Sequence, residues 1–463
     1  MAVPLLAVSA EPLVTDTALG DEADVMLRSL GQLRGIPPRA TPPRRLLGQT
    51  ELRAEINAII DKHESPAERE TTRLIWTRLG LLPDGSDYTQ LLADALGAKP
   101  ASFYDPLSRR LYVPNWIDLP NQRIGLAHEL GHALADQRFG LRRVLGLDET
   151  AAGVRAGDTN GDRRRARQAL IEGDAAILTL ELFDPRGTLL SARELGALVQ
   201  RLRVAATAAP AQVAPADAGP QPPPPPPPPA LVRQLLAFPA LEGLAFVGRV
   251  RNRQPWTAVD AIWARPPDST EQILHPEKYD RGDAPLAIEL TPLPSLQPGH
   301  RLAGADTLGE LTIRLWLGRS TSPQVAERAA EGWAGDRVAA YVPESPPSRT
   351  TPAAAALAWL TIWDSPADAE DFAVTTADIL ATMAGAPPNE DPSQTVFRDA
   401  EGRLFALSRR ADRVALLLGA PATALPALDQ MLTQWRTSAP PPAKPKPTAP
   451  APTKTPARPR PRR

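Results

Sequence analysis

The sequence contains no cysteine. That excludes disulfides and thiolate metal sites and leaves His, Asp and Glu as the side chains able to hold a metal. It contains no run of 18 apolar residues, so no segment is expected to cross a membrane as a helix. Lysine is scarce, six of the 52 basic residues, a bias shared with the abundance of alanine and proline and therefore a poor guide to arginine chemistry. Neither charge sign is in excess. A formal net charge of −1 over 463 residues gives no reason to expect a nucleic-acid partner or strong attraction to a membrane surface. That balance conceals an asymmetry, because from Thr437 to Arg463 the tail carries seven basic residues and no acid, leaving −8 for the remainder. At 43% hydrophobic the chain has ample material for a core, and its length implies two or more domains.

Proline is abundant at 54 residues, and it clusters. Residues 208–230 include eight consecutive prolines, 222–229, expected to form a stiff polyproline II rod outside any packed core. A spacer expanded by base composition is preferred there over a ligand for an SH3-like partner. Residues 1–20 open with "MAVPLLAVSAEP", a short apolar stretch with small residues at a cleavage-like "AVSA" but no basic start. They read as a leader remnant, which makes the protein secreted, periplasmic or at the cell surface; otherwise it is cytoplasmic. Nothing in the sequence sets an oligomeric state.

Apolar residues at helical spacing mark helices over 23–33 and 46–82. "ASFYDPLSRRLYVPNW" is a hairpin signal, able to offer an edge strand to an extended peptide. A helix is expected from Asp118 or Leu119, with Pro120 in its first turn, to Gly140, and a second from about Arg164 to Leu182. "LVRQLLAFPALEGLAFVGRV" reads as helix and "ARPPDSTEQILHPEKYDRGD" as loop. From about Arg301, strand-like and helical runs mix as in a small α+β domain reaching 436, followed by a disordered basic tail over 437–463. Its tryptophans read as core residues, with Asp336 and Arg337 a structural pair.

The helix over 124–137, "IGLAHELGHALADQ", carries the chemistry. His128 and His132, four apart, stack on one helix face where one tetrahedral Zn2+ can take both imidazoles. Glu129 points beside them, the general-base position of an HExxH motif. A catalytic zinc needs a third protein ligand. A histidine at 138 after a glycine at 135 would supply it in one known pattern, but the sequence has Ala135 and Arg138. The remaining source is a carboxylate from a following helix. Glu172 in "ARQALIEGDAAILTLEL", between the small Ala169 and Ala176, is favoured over Glu149 and Asp162, which lie in loop-like sequence. Asp174 is then expected to orient one of the histidines. His63 and His300 receive no role.

"AHELGHALADQRFGL" followed by "ALIEGDA" resembles the gluzincin metallopeptidases, the thermolysin-like group. It resembles in particular a set of exported or surface proteins of bacteria and archaea in which these motifs precede a segment like "STEQILHPEKY" and a terminal domain bearing "GWAGDR" and "WDSPADAEDF". The resemblance covers most of 100–375. The 39 residues between His132 and Glu172 exceed the gap in thermolysin itself. It implies a mainly helical zincin-like domain with a small β-sheet over 21–300, the proline-rich stretch being an insertion, and a smaller C-terminal α+β domain over 301–436. It also implies hydrolysis of peptide bonds in a peptide or protein substrate by metal-activated water. His275 becomes a candidate to stabilise the oxyanion, shared with Tyr279, against the alternative that His275 caps a turn before Pro276. The rival reading is a non-catalytic surface or assembly module that retains a peptidase-like fold with zinc as a staple.

Overall fold

The computed structural model describes residues 13–97, 102–147, 157–188, 191–207, 229–296, 299–344, 355–387 and 395–438. The expected leader cleavage stretch, Glu149, residues 208–228 of the proline-rich stretch and the tail from 439 lie outside the described residues.

Helix α1 (Asp16–Arg34) opens on Thr15, whose hydroxyl accepts the Ala18 N–H, and ends at Gly35 in the left-handed region. The helical pattern over 46–82 divides into strand β1 (Arg44–Leu47) and helices α2 (Gln49–His63) and α3 (Pro66–Arg78). The break between the helices is chemical. Ser65 and Glu68 form a capping box, and Pro66 has no N–H to extend the preceding ladder. Helix α4 (Tyr88–Gly97) follows, then the expected hairpin, β2 (Phe103–Asp105) and β3 (Arg110–Pro114). β1 adds to β3 in parallel, giving the order β1-β3-β2 and leaving β2 at an edge.

Helix α5 (Leu119–Phe139) has the expected bounds, with Asp118 capping Asn121 and Gly140 ending it in the left-handed region. After the short α6 (Leu141–Val144) comes α7 (Gly161–Phe183), which starts before Arg164 because the Asn160 side chain caps the Arg163 N–H. Next are α8 (Ala192–Thr207), α9 (Ala230–Arg251) and α10 (Trp256–Ala264). The backbones of α7 and α9 touch. A Cβ on Gly173 would lie 2.1 Å from the Gly243 carbonyl oxygen, and one on Gly243 2.0 Å from that of Ala169. The stretch read as loop contains α11 (Thr270–Leu274) and α12 (Pro276–Arg281), each too short to show helical periodicity. Ser269 caps the first and Pro276 starts the second.

The C-terminal part runs β4 (Ala287–Glu289), β5 (His300–Asp306), α13 (Gly309–Leu317), α14 (Pro323–Ala330), β6 (Trp333–Pro343), β7 (Ala356–Trp363), α15 (Pro366–Met383), β8 (Val396–Arg398), β9 (Leu404–Arg410), β10 (Arg413–Ala420), α16 (Ala427–Gln434) and β11 (Arg436–Ser438). Six strands form an antiparallel sheet in the order β5-β6-β7-β10-β9-β8, and β11 pairs with β4. Every residue of β7 is buried, because both faces of the sheet are covered. Leu357, Trp359 and Trp363 face the apolar core that also holds α5 and α7. Ala358, Leu360 and Ile362 face a second core with Leu428 and Met431 of α16.

Asp336 and Arg337 do not pair, since neighbours on a strand point to opposite faces. Asp336 accepts hydrogen bonds from the indoles of Trp333 and Trp359 and from the Leu308 and Gly309 N–H groups. Arg337 donates to the Thr159 carbonyl and faces Asp158 at 3.6 Å. The architecture is α+β. Among the described residues no helix is long and apolar enough to cross a membrane.

Candidate metal centre

Helices α5 and α7 cross where neither has a large side chain. A Cβ added to Gly131 would meet the Ala175 Cβ at 3.3 Å, so glycine there allows the approach anticipated from its cost in a helix interior. The crossing brings Glu172 to both histidines. His128 Nε2 lies 3.1 Å from Glu172 Oε2 and His132 Nε2 3.6 Å from Oε1. The two imidazoles stand edge to face with centroids 4.6 Å apart. Nitrogen and oxygen ligands about 2.0–2.2 Å from a tetrahedral zinc are about 3.3 Å from one another, and the two distances bracket that separation. The donor set and its spacing therefore fit the metal.

The three residues whose ligand atoms all lie within 4.8 Å of one another are His128, Glu129 and His132, a group that does not include Glu172. Glu129 Oε2, however, accepts the Tyr104 N–H at 2.7 Å. That bond ties it to β2 and favours Glu172, which faces both imidazole Nε2 atoms, as the third ligand. Burial raises the Glu129 carboxyl to about 7 and the Glu172 carboxylate adds to this, while the His128 charge pulls it down. Burial opposes the charged form of His128, but the hydrogen bond and charge of Glu172 outweigh it and raise the imidazole to about 9. For His132 burial prevails over Glu172 and lowers it to about 4. Glu172 is held below the usual carboxylate range, the two imidazoles overcoming its burial.

The Tyr104 N–H points away from β3, as alternate residues of an antiparallel edge strand do, so the free edge of β2 runs beside the general-base candidate. The rest of the "HALADQ" motif is structural. Asp136 accepts from the Tyr104 hydroxyl at 2.8 Å and the Leu141 N–H at 2.7 Å, and Gln137 bonds the backbone of Arg39 and Ala40.

The expected partner of the histidines, Asp174, is engaged elsewhere. Two residues beyond Glu172 it lies about 200° round the helix, and its carboxylate takes Arg34 at 2.9 and 3.3 Å and the Trp263 indole at 2.7 Å. His132 Nδ1 is buried with no hydrogen-bond partner. His275 and Tyr279 are likewise occupied. His275 Nε2 is 2.8 Å from Glu310 Oε1, and its backbone stands at the junction of α11 and α12. The Tyr279 hydroxyl donates to the Arg265 carbonyl at 2.8 Å, with its ring against Phe246. Among the described residues, no hydrogen bond or ring contact joins either to His128, Glu129, His132 or Glu172.

Of the two competing third ligands, Glu149 lies outside the described residues, and Asp162 is away from the histidines. It is 1% exposed and accepts the Thr270 N–H at 3.1 Å. Burial lifts Asp162 to about 8 against the pull of the Thr270 bonds, with Asp336 adding to the rise. An unfolded aspartate loses its proton near 3.8, so the folded state binds more protons between about pH 4 and 8. Stability present below that window is lost as pH rises through it. Asp162→Asn is expected to flatten this loss and to raise the melting temperature at pH 8 relative to the parent. Denaturant titrations from pH 5 to 9 that keep the parent's slope would refute it.

One imidazole that the sequence left without a role meets a carboxylate here. His63 Nε2 lies 2.9 Å from Asp105 Oδ1, the residue after Tyr104. His63 lines a pocket of about 430 Å³ that Glu172 also lines. Burial opposes the Asp105 charge, yet hydrogen bonds from His63, Ser108 and Leu107 hold its carboxyl well below the usual range. The 42 residues between them carry no spacing signal.

A family profile described as "Domain of unknown function (DUF8575)" matches residues 299–429, the stretch that holds the six-stranded sheet. No curated protein matches the chain. No solved structure matches it either.

Proposed function

We propose that this protein is a zinc-dependent peptidase of the zincin type, with His128, His132 and Glu172 as the metal ligands and Glu129 as the general base. The observation that carries the reading is the convergence of both Nε2 atoms on the Glu172 carboxylate across two helices, with Glu129 beside them. Zinc bound there supplies Lewis acidity, activating water and polarising a peptide carbonyl.

The chain's own residues do the rest. Glu129, its charged form disfavoured by burial, takes a proton from the attacking water and returns it to the leaving amine. The edge strand β2, whose outward Tyr104 N–H is held by Glu129, lies where an extended substrate backbone would run beside the general base. His63, held by Asp105 through Nε2 and lining the same pocket as Glu172, can donate from Nδ1 only as an imidazolium, and in that form it is the donor offered to the developing oxyanion in place of His275.

The test is metal analysis of the purified protein together with cleavage of a peptide library, before and after complete chelation. One zinc per chain and cleavage that stops on chelation and returns with zinc support the proposal. Cleavage that survives removal of the metal overturns it. Zinc that is bound and stabilising, with no cleavage of any peptide or unfolded protein, leaves the rival reading of a module stapled by its metal.

A further inference from the structure

The pocket of about 430 Å³ extends from Glu172 along one face of α7, where Gly161, Arg164, Arg165, Gln168 and Glu172 follow one another at helical spacing. Ile59, Ile60, Leu92, Leu235 and Leu236 give it apolar stretches, and Glu64, Glu68 and Asp306 line it as well. The arginines of this helix are not equivalent. Arg164 faces Glu64 at 3.4 Å and Glu68 at 3.2 Å, and Arg163 and Arg167 face Asp268 at 3.3 and 2.9 Å. Arg165 makes no hydrogen bond and no ion pair among the described residues. Its Nη1 is buried and unpartnered, and its guanidinium is stacked over the Trp76 ring at 5.5 Å. The residue as a whole is half-buried, so the guanidinium is shielded at Nη1 and reachable from the pocket.

An independent observation lies at the same end of the pocket. Trp76 is 4% exposed, lines the pocket, and has an indole N–H without an acceptor. Two unpaired donors, one of them a cation fixed by stacking, call for an anionic acceptor with two lone-pair faces, which a carboxylate provides. Glu64, Asp162 and Asp306 are the acids around Arg165. Burial pushes the Glu64 and Asp162 carboxyls up, and Asp306 accepts the Gly161 and Thr307 N–H groups at 2.7 and 2.8 Å through Oδ1, with Oδ2 on the side of Arg165. The Arg165 charge acts on the Glu64 and Asp162 carboxyls, but none of the three acids forms an ion pair or hydrogen bond with it among the described residues.

We propose that Arg165, with Trp76, is a substrate subsite that binds a carboxylate of the peptide on one side of the bond to be cut. The proposal rests on the peptidase reading. Arg165 and Glu172 are seven residues apart, about 10 Å along the helix axis, and an extended peptide advances about 3.3 Å per residue. The carboxylate therefore lies about three residues from the scissile bond. It is either the C-terminus of the substrate, in which case the products are a shortened chain and a tripeptide, or an acidic side chain at that place. The reaction is hydrolysis in both cases: the C–N bond breaks, water oxygen joins the acyl carbon and the proton goes to the amine.

Two measurements test it. The first is calorimetric binding of the tripeptide Phe-Leu-Ala and of its C-terminal amide to the zinc-free protein and to Arg165→Gln. The second is kcat/KM of the zinc-loaded protein on matched peptides with free or amidated ends, and on amidated peptides with Asp or Asn at the third position after the bond. The carboxylate form is expected to be favoured about 10- to 100-fold, the range of a charge-assisted hydrogen bond. Arg165→Gln should abolish the difference, mainly through KM, and Arg165→Lys should restore part of it. Preference for the free end identifies the C-terminus as the source, and preference for Asp in amidated peptides identifies the side chain. Equal treatment of acid and amide in every series, or a preference that survives Arg165→Gln, overturns the subsite. Binding of the free acid that depends on Arg165, with no cleavage of any peptide, keeps the subsite and removes the peptidase reading instead.

Discussion

Glu129→Gln is expected to lower peptide turnover by roughly 10²-fold or more, the contribution of a positioned general base, while zinc content and melting temperature stay close to the parent's. The structure explains why this variant separates chemistry from folding. Glu129 Oε2 accepts the Tyr104 N–H at 2.7 Å, and a glutamine carbonyl oxygen can accept the same bond, so β2 keeps its tether. The metal keeps its ligands, because His128, His132 and Glu172 are untouched. What glutamine cannot do is take a proton from water and hand it on. Turnover measured on a library-derived peptide, beside metal analysis and thermal melting, checks the three claims together. A variant that cleaves as fast as the parent would remove Glu129 from the mechanism.

Glu172→Ala should have the larger effect on the metal. Loss of groups that merely orient a ligand weakens metal affinity 10- to 100-fold, so loss of a ligand is expected to cost at least about 100-fold, read by competition with a coloured chelator. It also leaves His128 and His132 facing each other without the carboxylate that lies 3.1 and 3.6 Å from them. Asp174→Asn, two residues away, should behave in the opposite way. It weakens a buried ion pair with Arg34, which keeps Asp260 at 2.7 Å as a second partner, so a stability loss of about 1–3 kcal/mol is expected, and it should leave zinc affinity little changed. If Asp174→Asn releases the metal and Glu172→Ala does not, the third ligand has been misassigned.

The contrast between these two carboxylates shows how far the site can be read from residues alone. Both stand in "IEGDA" on an apolar helix, and the small Ala169 and Ala176 beside Glu172 make it the expected ligand, with Asp174 as the group that orients a histidine. Glu172 reaches the histidines because α7 crosses α5 at Gly131 and Ala175 with that side of the helix inward. Asp174, rotated about 200° from it, faces α1 and α10. The sequence carries the helical period but not the direction from which another helix arrives. His63 and Asp105 are the sharper case. Nothing in either segment points to the other, and only the packing of α2 beside the hairpin joins them. His275 shows the reverse error, since motif order drew it toward the metal while its imidazole is bonded to Glu310.

What the sequence by itself determined is local. The bounds of α5 follow from Asp118, Pro120 and Gly140, whose backbone preferences act within a turn or two of the chain. The stacking of His128 and His132, with Glu129 beside them, follows from a spacing of four on one helix. The absence of cysteine limited any metal to histidine and carboxylate ligands. The tertiary structure alone decided that Asp174 is spent on Arg34 rather than on a histidine, and that β1 joins the hairpin in parallel to leave β2 at the edge. It also decided that Arg165, unlike its neighbours Arg163, Arg164 and Arg167, forms no ion pair among the described residues. Each of these depends on segments tens of residues or more apart meeting at a particular rotation and depth, which are set by how whole helix faces and sheet faces pack against one another rather than by any one stretch of the chain.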